Sequence, residues 1–287
     1  MRGSFCLMRD IVANLIRRHI KITAHPYEGL PVIVVSGVGR SGTTVLRHCL
    51  SAHPDLHSTD SENNVIYDVL ETARHNCTYP SRRGTMRVAP PAYDRQWRLL
   101  LLNLLWPEPR RGRYRPRKLL AASDLLPERA EYLYRVFPGV RIIYIVRNGI
   151  AVVSSRMAHP NFRQNPFEEH CRRWAAARDM ALWGASRSGF VLFRQEDALD
   201  SADAERACRR MLEQLDLTFC RECLRTLTQN RYHPTVLGEE SREEAEDLAQ
   251  RSERWRLWSD EQREEFADIC REAMRYFEYT IPWREED

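Results

Sequence analysis

The sequence predicts an α/β fold in which a central parallel sheet is flanked by helices. Two apolar runs rich in β-branched residues, at 31–35 and 141–147, have the length and composition of strands buried on both faces. A helical pattern follows each run, and strands and helices alternate further along the chain. This alternation favours parallel strands joined by right-handed crossovers, with ligand sites at the carboxyl ends of the strands.

The same patterns predict the individual elements in order. The predicted strands are 31–35, 119–123, 141–147 and 190–193. The predicted helices are 42–52, 62–74, 93–106, 127–136 and 166–187, and helices dominate after residue 200. A turn-rich loop is expected at 76–91 and a basic loop at 107–118, while the first 22 residues have the pattern of an amphipathic helix interrupted by charges.

The first motif is the junction of a strand and a helix at 31–44, PVIVVSGVGRSGTT. A strand, a glycine turn and a helix N-terminus together make an anion site, because backbone N–H groups point into the turn and the helix dipole favours negative charge. Arg40 adds a cation, and Ser41, Thr43 and Thr44 add hydroxyl donors. The sequence therefore predicts a phosphate cradle.

This cradle departs from the P-loop pattern GxxxxGK[ST] of nucleoside triphosphate enzymes. Gly37 and Gly42 occupy the glycine positions, but Thr43 stands where the lysine that reaches the β- and γ-phosphates belongs. A P-loop nucleotide kinase or NTPase is therefore the disfavoured alternative. The site suits a shorter anion carried on a nucleotide.

Residues 38–44 resemble the 5′-phosphosulfate loop of sulfotransferases that use 3′-phosphoadenosine 5′-phosphosulfate (PAPS), in their Golgi and bacterial branches. Those enzymes carry Pro-Arg-Ser-Gly-Thr-Thr here, and a glycine takes the proline position in this chain. Residues 52–55, Ala-His-Pro-Asp, are similar to the segment that ends the first helix in the protein-tyrosine sulfotransferase branch. The resemblance implies a P-loop-like three-layer sandwich. It also implies these cofactor-binding residues: Gly39, Arg40, Ser41, Gly42, Thr43 and Thr44.

The second motif lies at 141–156, RIIYIVRNGIAVVSSR. A buried strand ends in Arg147, and Ser155 follows on a helix about two turns later, so the two side chains can converge on one anion. Sulfotransferases hold the 3′-phosphate of PAPS with an arginine and a serine at this spacing, and Phe137-Pro138 precedes the strand as in those families. The resemblance therefore assigns the 3′-phosphate to Arg147 and Ser155.

Two later segments extend the resemblance more loosely. Residues 194–199, RQEDAL, are similar to the Arg-Tyr-Glu-Asp-Leu that follows a core strand in sulfotransferases, with Gln195 in the aromatic position. Residues 251–255, RSERW, resemble the segment that closes over the nucleotide. Arg254 or Trp255 can stack on adenine there, which is worth about 1–3 kcal/mol. The alternative is a solvated helix face with Trp255 in the core.

Sulfuryl transfer requires a base for the acceptor's proton and positive charge at the leaving phosphate, part of which Arg40 can supply as a catalytic residue. Related enzymes use a glutamate or a histidine as the base. The protein-tyrosine branch has Glu-Glu in the matching loop, where an ungapped alignment places Asp60 and Ser61. A slip of one residue makes Glu62 the base; Asp60 is the second candidate and His57 the third.

Many family members also carry a lysine after the middle strand, close to the bridging oxygen of PAPS. The corresponding residues 121–124 read AASD, and the only nearby lysine is Lys118. Either an arginine substitutes, or Ser123 donates a neutral hydrogen bond, or catalysis is weak. Loss of one such charge costs about 10²–10³ in rate. A protein of this fold that binds PAPS but turns over slowly, or not at all, is therefore an alternative.

Composition excludes several other classes of protein. The net charge of +4 and the 29% of charged residues are typical neither of a nucleic-acid binder nor of an acidic tail. No apolar run reaches the roughly 18 residues of a membrane span, and no signal peptide pattern is present, so a cytoplasmic location is expected. The eight cysteines are scattered, and the one close pair, Cys220-x-x-Cys223, is expected to remain as free thiols.

We therefore expect a PAPS-dependent sulfotransferase that uses PAPS as co-substrate and needs no metal. One domain is expected over 1–287, with an N-terminal helical extension (1–29), a nucleotide-binding core (30–200) and a helical C-terminal part (201–287). The acceptor is a hydroxyl or an amine. Resemblance to the protein-tyrosine branch favours a phenol or a protein tyrosine as the acceptor. Related bacterial enzymes act on carbohydrates and small molecules, which are further candidates. The basic residues at 110–117 suit an acidic peptide or glycan. A homodimer is left open.

Overall fold

The computed structural model describes residues 24–59, 65–78, 90–107, 116–198, 201–229 and 253–284. Several sequence-based predictions lie outside these residues. They are the amphipathic helix of the first 22 residues, the base candidates Asp60 and Glu62 with Ser61, most of the basic loop at 107–118, and Arg251 with Ser252.

Within the described residues, five strands form one parallel sheet, which confirms the predicted α/β fold. The strands are β1 (Val32–Gly37), β2 (Leu56–Ser58), β3 (Lys118–Ala122), β4 (Arg141–Val146) and β5 (Phe190–Arg194), and their order in the sheet is β2-β3-β1-β4-β5. All six residues of the central strand β1 are buried, whereas the edge strand β5 alternates between more and less buried residues. A central parallel strand is covered on both faces, which explains why its sequence is a continuous apolar run.

Ten helices accompany the sheet in the part of the chain that the structure describes. They are α1 (Thr43–Ser51), α2 (Val65–Thr78), α3 (Pro90–Leu105), α4 (Pro127–Val136), α5 (Gly149–Ala158), α6 (Phe167–Ala175), α7 (Ala177–Gly184), α8 (Ser201–Gln214), α9 (Arg221–Gln229) and α10 (Asp260–Tyr276). Short 3₁₀ helices occupy Gln195–Ala198 and Arg254–Leu257. None of the described helices has the length and hydropathy that crossing a bilayer requires.

The bounds of α4 match the prediction, because a proline at the first helical position marks where the helix begins. Strand β2 was not predicted, since its three residues are too few to show periodicity; it is defined by pairing with β3, in which Leu56 lies opposite Lys118. The predicted turn-rich loop at 76–91 was too long, because α2 continues to Thr78 and α3 begins at Pro90.

The single helix predicted at 166–187 is also wrong, because α6 and α7 separate at Ala176. The ψ angle of Ala176 is −13°, which departs from the α-helical value of about −42°. Its N–H still donates to the carbonyl oxygen of Arg172 at 3.1 Å, so the chain bends without breaking the path of hydrogen bonds. The apolar periodicity at 166–187 continues across Ala176, so it does not predict a bend there.

The described residues fall into two compact units, of which the first comprises Met1–Val34 and Pro54–Arg141. In this unit α2, α3 and α4 pack against one another. The buried carboxylate of Asp94 on α3 accepts hydrogen bonds from the Tyr132 hydroxyl at 3.1 Å and from the Arg135 guanidinium at 3.1 Å. Because both donors lie on α4, this carboxylate joins the two helices.

The second unit comprises Val35–His53 and Ile142–Asp287. Its core includes Trp174 on α6, which is fully buried and stacks on Phe266 of α10 with ring centroids 6.4 Å apart. The second half of β1, all of α1 and both ends of the strand-to-helix turn at 147–149 belong to this unit. It therefore contains the turn and the helix start of the first predicted anion motif, and all but the first residue of the second.

Close packing of a helix on a strand in this unit requires one glycine. A Cβ atom at Gly184, the last residue of α7, would lie 2.4 Å from the ring of Phe190 in β5. A contact that short cannot be accommodated without moving the ring or the helix.

We predict that Gly184→Ala lowers the free energy of unfolding by about 1–3 kcal/mol, although alanine gains about 1 kcal/mol in helix propensity. Urea unfolding followed by circular dichroism measures the change. A second variant, Gly184→Ala with Phe190→Leu, should lose less stability than the two single changes added together, because the smaller side chain relieves the contact. If Gly184→Ala lowers the free energy of unfolding equally with and without Phe190→Leu, the Phe190 ring is not what the new Cβ atom meets.

Candidate functional site

The site begins where two neighbouring strands come unusually close. Gly37 ends β1, and a Cβ atom there would lie 2.6 Å from the carbonyl oxygen of Ile145 in β4. Glycine is therefore the residue that permits this approach. The loops that follow β1 and β4 leave the sheet at the same edge, as parallel strands require.

The loop after β1 enters α1 at Thr43. The Ser41 N–H donates to the carbonyl oxygen of Val38 at 3.0 Å, which closes the turn. Gly42 is the N-cap residue with a φ of +101°, and no side chain caps the helix. The first-turn N–H groups are thus not taken by a capping side chain, and the helix dipole concentrates positive potential there. This backbone geometry is what an anion cradle requires.

A side chain from a distant part of the sequence packs against this loop. A Cβ atom at Gly42 would lie 3.1 Å from Nε2 of Gln195 and 3.3 Å from Cδ1 of Ile145. Gln195 begins the 3₁₀ helix after β5, and its Oε1 is buried without a hydrogen-bond partner among the described residues. Gln195, which stands where related sequences carry an aromatic residue, therefore contacts the loop directly.

Arg40 connects the two sequence motifs. Its φ is +83°, an uncommon conformation for a residue other than glycine and one that recurs at functional sites. Its Nε donates to the Ser155 hydroxyl on α5 at 3.1 Å, and Nη1 of Arg147 lies 3.5 Å from the Arg40 carbonyl oxygen. The structure thus brings together three residues that the sequence predicted for one ligand.

Arg147 follows β4 directly and is 9% exposed. Its carbonyl oxygen accepts a hydrogen bond from Nε1 of Trp174 at 3.0 Å. A Cβ atom at Gly149, where α5 begins, would lie 2.9 Å from the same indole ring. The buried tryptophan therefore fixes the turn that carries Arg147, and the sequence gives no local signal for this.

The residue after Arg147 is held by a chain of hydrogen bonds. The Asn148 side chain accepts from the Ile150 N–H at 2.9 Å and so caps α5. The Asn148 N–H donates to Oε1 of Glu196 at 2.9 Å, and Oε2 of Glu196 accepts from the Tyr279 hydroxyl at 2.7 Å. Burial and the Glu196 charge raise the pKa of Tyr279, so its phenol keeps the proton that it donates. Sequence reasoning missed Glu196 and Tyr279, because the partners lie far apart along the chain.

A third arginine lies beside the loop. Arg156 is 5% exposed, and its guanidinium carbon lies 4.3 Å from the centroid of the Phe162 ring. A Cβ atom at Gly39 would lie 3.3 Å from Nη1 of Arg156 and 3.4 Å from Cζ of Phe162. The glycine in the family's proline position therefore lets both side chains pack against the loop. The sequence analysis assigned no role to Arg156, although it adjoins Ser155.

The three arginines make this region strongly positive. Burial, together with the charges of Arg40 and Arg156, holds the pKa of His159 below its ordinary value. Burial and Arg156 lower the pKa of His170 in the same way. The charges of these arginines therefore add to burial in disfavouring a further cation beside the loop, and they favour a bound anion there.

The predicted adenine contacts lie on the 3₁₀ helix Arg254–Leu257, which packs against α5. Arg254 and Trp255 are both half-buried. The Trp255 ring packs on Trp283 with centroids 5.0 Å apart. This contact agrees with a core role for Trp255. Because part of its ring is exposed, stacking on adenine stays a prediction.

In the first unit, Lys118 and Ser123 lie at opposite ends of β3. Lys118 is the first residue of the strand, about 13 Å from its carboxyl end at 3.3 Å per residue. It therefore cannot replace the family lysine, which acts beyond the carboxyl end. Ser123 follows that end, is 9% exposed, and its hydroxyl has no hydrogen-bond partner among the described residues.

The third base candidate, His57, is part of the first unit's core. It lies on β2, is 8% exposed, and its ring packs edge-on against Tyr27 with centroids 5.5 Å apart. Its carbonyl oxygen accepts from Nε1 of Trp106 at 3.1 Å. Glu62 and Asp60 lie outside the described residues, so their roles stay predictions.

Cys220 and Cys223 are free thiols, and Cys220 directly precedes α9. Within the described ranges, no three histidine, cysteine, aspartate or glutamate side chains are grouped so that they could hold a metal ion.

Comparison with known sequences agrees with the motifs. The model of the Sulfotransferase family matches residues 31–221. Human protein-tyrosine sulfotransferase 1 is 27% identical over 158 residues, which cover 53% of this chain and 41% of that protein. The protein-tyrosine sulfotransferase of Drosophila melanogaster is 25% identical over 151 residues, which cover 50% of this chain and 30% of that protein. The matched part therefore spans less than half the length of either relative.

Comparison with solved structures shows the same fold. The sulfotransferase domain from the curacin biosynthetic pathway superposes with a TM-score of 0.54 at 16% identity, covering 88% of this chain and 99% of that one. The sulfotransferase domain of the Synechococcus PCC 7002 olefin synthase gives a TM-score of 0.52 at 17% identity, covering 87% and 94%. Since the family match extends over both anion motifs, this chain belongs to the sulfotransferase family, which uses PAPS.

Proposed function

We propose that this protein transfers the sulfuryl group of PAPS to a hydroxyl or amine of an acceptor. The observation that carries the proposal is the contact of Arg40 with Ser155 and Arg147. It joins two anion-binding features on neighbouring strands, whose spacing in a sheet is about 4.8 Å. PAPS carries two anionic groups on one ribose, a 5′-phosphosulfate and a 3′-phosphate, and so matches a double anion site.

The two groups are assigned to the two features by their chemistry. The 5′-phosphosulfate is placed at the N-terminus of α1, where the N–H groups and hydroxyls of Thr43 and Thr44 can donate to it. The 3′-phosphate is placed at Arg147 and Ser155, because a guanidinium and a hydroxyl together satisfy several phosphate oxygens. Arg40 lies between the two positions and can serve either group.

In the proposed reaction an acceptor oxygen attacks sulfur while the bond from sulfur to the 5′-phosphate oxygen breaks. The acceptor's proton passes to a base, and 3′-phosphoadenosine 5′-phosphate (PAP) leaves with the added negative charge. Arg40 and the α1 N–H groups stabilise that charge as it develops, which is the electrostatic part of catalysis. Glu62 remains the proposed base, ahead of Asp60, and the burial of His57 makes it the least accessible of the three candidates.

One observation favours a second candidate function, that of a PAP-binding protein with slow turnover. Lys118 stands at the wrong end of β3 for the family's lysine role. Ser123 stands at the right end, but its hydroxyl is a neutral donor. A neutral donor stabilises a developing anion less than a charged one does, since hydrogen bonds to charged donors are about twice as strong.

The acceptor is proposed by analogy alone. The relatives of highest similarity reported above act, by their names, on protein tyrosine, which supports a phenol or a tyrosine side chain. Carbohydrates and other small molecules stay open as acceptors.

We predict that Arg147→Ala weakens binding of PAP by about 100-fold, because removing one partner of a buried charge pair costs about 2–5 kcal/mol. Binding of AMP, which lacks the 3′-phosphate, should change little. Arg141→Ala, at the opposite end of the same strand, is the matched control and should bind PAP like the wild type. Calorimetric titration with both nucleotides makes the comparison, and equal losses for PAP and AMP would contradict the assignment of the 3′-phosphate.

We also predict that Glu62→Gln lowers the transfer rate by about 10²–10⁴ and leaves PAP affinity unchanged, because a general base contributes that much to the rate alone. Asp60→Asn is the matched variant and should cost far less. Transfer of labelled sulfate to phenols, tyrosine peptides and glycans measures the rates. Full activity in Glu62→Gln would move the base role to Asp60 or His57.

A further inference from the structure

His159 lies beside the anion site without a role in the proposed function. It directly follows α5, four residues after Ser155, so the two residues share one side of the helix. Its backbone is held by three hydrogen bonds. The His159 N–H donates to the Arg156 carbonyl oxygen at 3.2 Å, and the His159 carbonyl oxygen accepts from the N–H groups of Phe162 at 2.9 Å and Arg163 at 2.8 Å.

The imidazole ring of His159 has a defined position and tautomer. It packs on Phe162 with ring centroids 5.2 Å apart, and the same phenyl ring lies against the loop at Gly39. Nδ1 accepts from the Asn161 N–H at 3.3 Å, so the neutral ring carries its proton on Nε2. The ring remains partly exposed and can exchange that proton with water.

The charged groups around His159 are mainly cations. Arg40 from the loop and Arg156 from α5 both disfavour its protonation, in addition to burial. Two further elements pack against α5. Helix α6 carries Glu168, Glu169, His170, Arg172 and Arg173, and the 3₁₀ helix carries Arg254 and Arg256. Near pH 7 the ring is therefore neutral in the protein alone, because a free histidine titrates at about 6.5 and this environment lowers that value.

A phosphate at Arg147 and Ser155 would offset much of this positive charge. Its two negative charges would lie close to Arg40, whose Nε already contacts the Ser155 hydroxyl at 3.1 Å. We infer that His159 takes up a proton when a nucleotide phosphate binds beside Ser155, and that it thereby makes nucleotide binding pH-dependent. The inference rests on the proposed function, since it requires an anion at that position.

The direction of the effect follows from linkage. In the protein alone, burial together with the charges of Arg40 and Arg156 lowers the pKa of His159, and in the complex the phosphate would raise it above that value. Binding therefore takes up protons at every pH between those two values. The affinity is highest below the lower value and falls as the pH rises toward the higher one, by up to about tenfold per pH unit.

The test is calorimetric titration of the full chain with PAP from pH 6 to pH 8, in buffers of different ionisation enthalpy, which gives the number of protons taken up. PAP titrates as well, but its contribution is common to all variants and cancels in the comparison. His159→Asn keeps an acceptor for the Asn161 N–H and removes the titrating group. His159→Arg keeps a permanent charge. His48→Gln on α1 is the control histidine, and its side chain contacts Arg47 instead.

We expect the wild type and His48→Gln to take up more protons on binding PAP than His159→Asn does. Above pH 7 the Kd of the wild type should also rise more steeply with pH than that of His159→Asn. At pH 8 His159→Arg should bind PAP at least as tightly as the wild type. Its proton uptake should be as low as that of His159→Asn. Equal proton uptake in the wild type and His159→Asn, with PAP still bound through its 3′-phosphate, would overturn the inference and leave the proposed function intact. Absence of PAP binding in the wild type would overturn both.

Discussion

The approach of β1 to β4 at Gly37 is the constraint on which the site depends. A Cβ atom at Gly37 would lie 2.6 Å from the Ile145 carbonyl oxygen, so any other residue would push the ends of the two strands apart. Because the strands end together, the loop after β1 can reach the helix after β4. The hydrogen bond from Arg40 to Ser155 is the result, and Arg40 makes it from a left-handed backbone conformation. A strained residue at the centre of a site is typical of functional geometry.

The second constraint is electrostatic. Arg40, Arg147 and Arg156 come from three elements and meet at one edge of the second unit, where the N-terminus of α1 adds its dipole. Concentrating like charges costs stability in the protein alone, and a multiply charged anion recovers that cost on binding. Together with burial, the same field lowers the pKa of His159. The proposed affinity for an anionic nucleotide and the electrostatic cost of the free site thus have one cause.

Local sequence patterns predicted much of the fold and the position of the loop between β1 and α1, because buried strands and helix starts leave local signals. The central strands, the start of α1 and the bounds of α4 are of this kind. Strand β2 and the bend at Ala176 were missed, since they depend on pairing and on one backbone angle. The contacts of Trp174 and Glu196 with the turn after β4, and of Tyr279 with Glu196, join residues tens of positions apart. No periodicity in a single sequence encodes such contacts.

If one site binds two anionic groups of the same nucleotide, a nucleotide that lacks the 3′-phosphate should bind less tightly. A calorimetric titration of the wild-type protein with PAP, AMP and ATP in the same buffer tests this. We expect micromolar binding of PAP, and binding of AMP and ATP that is weaker by tenfold or more, on the order of 1.4 kcal/mol. A preference for ATP, or equal binding of PAP and AMP, would show that the double anion site is absent.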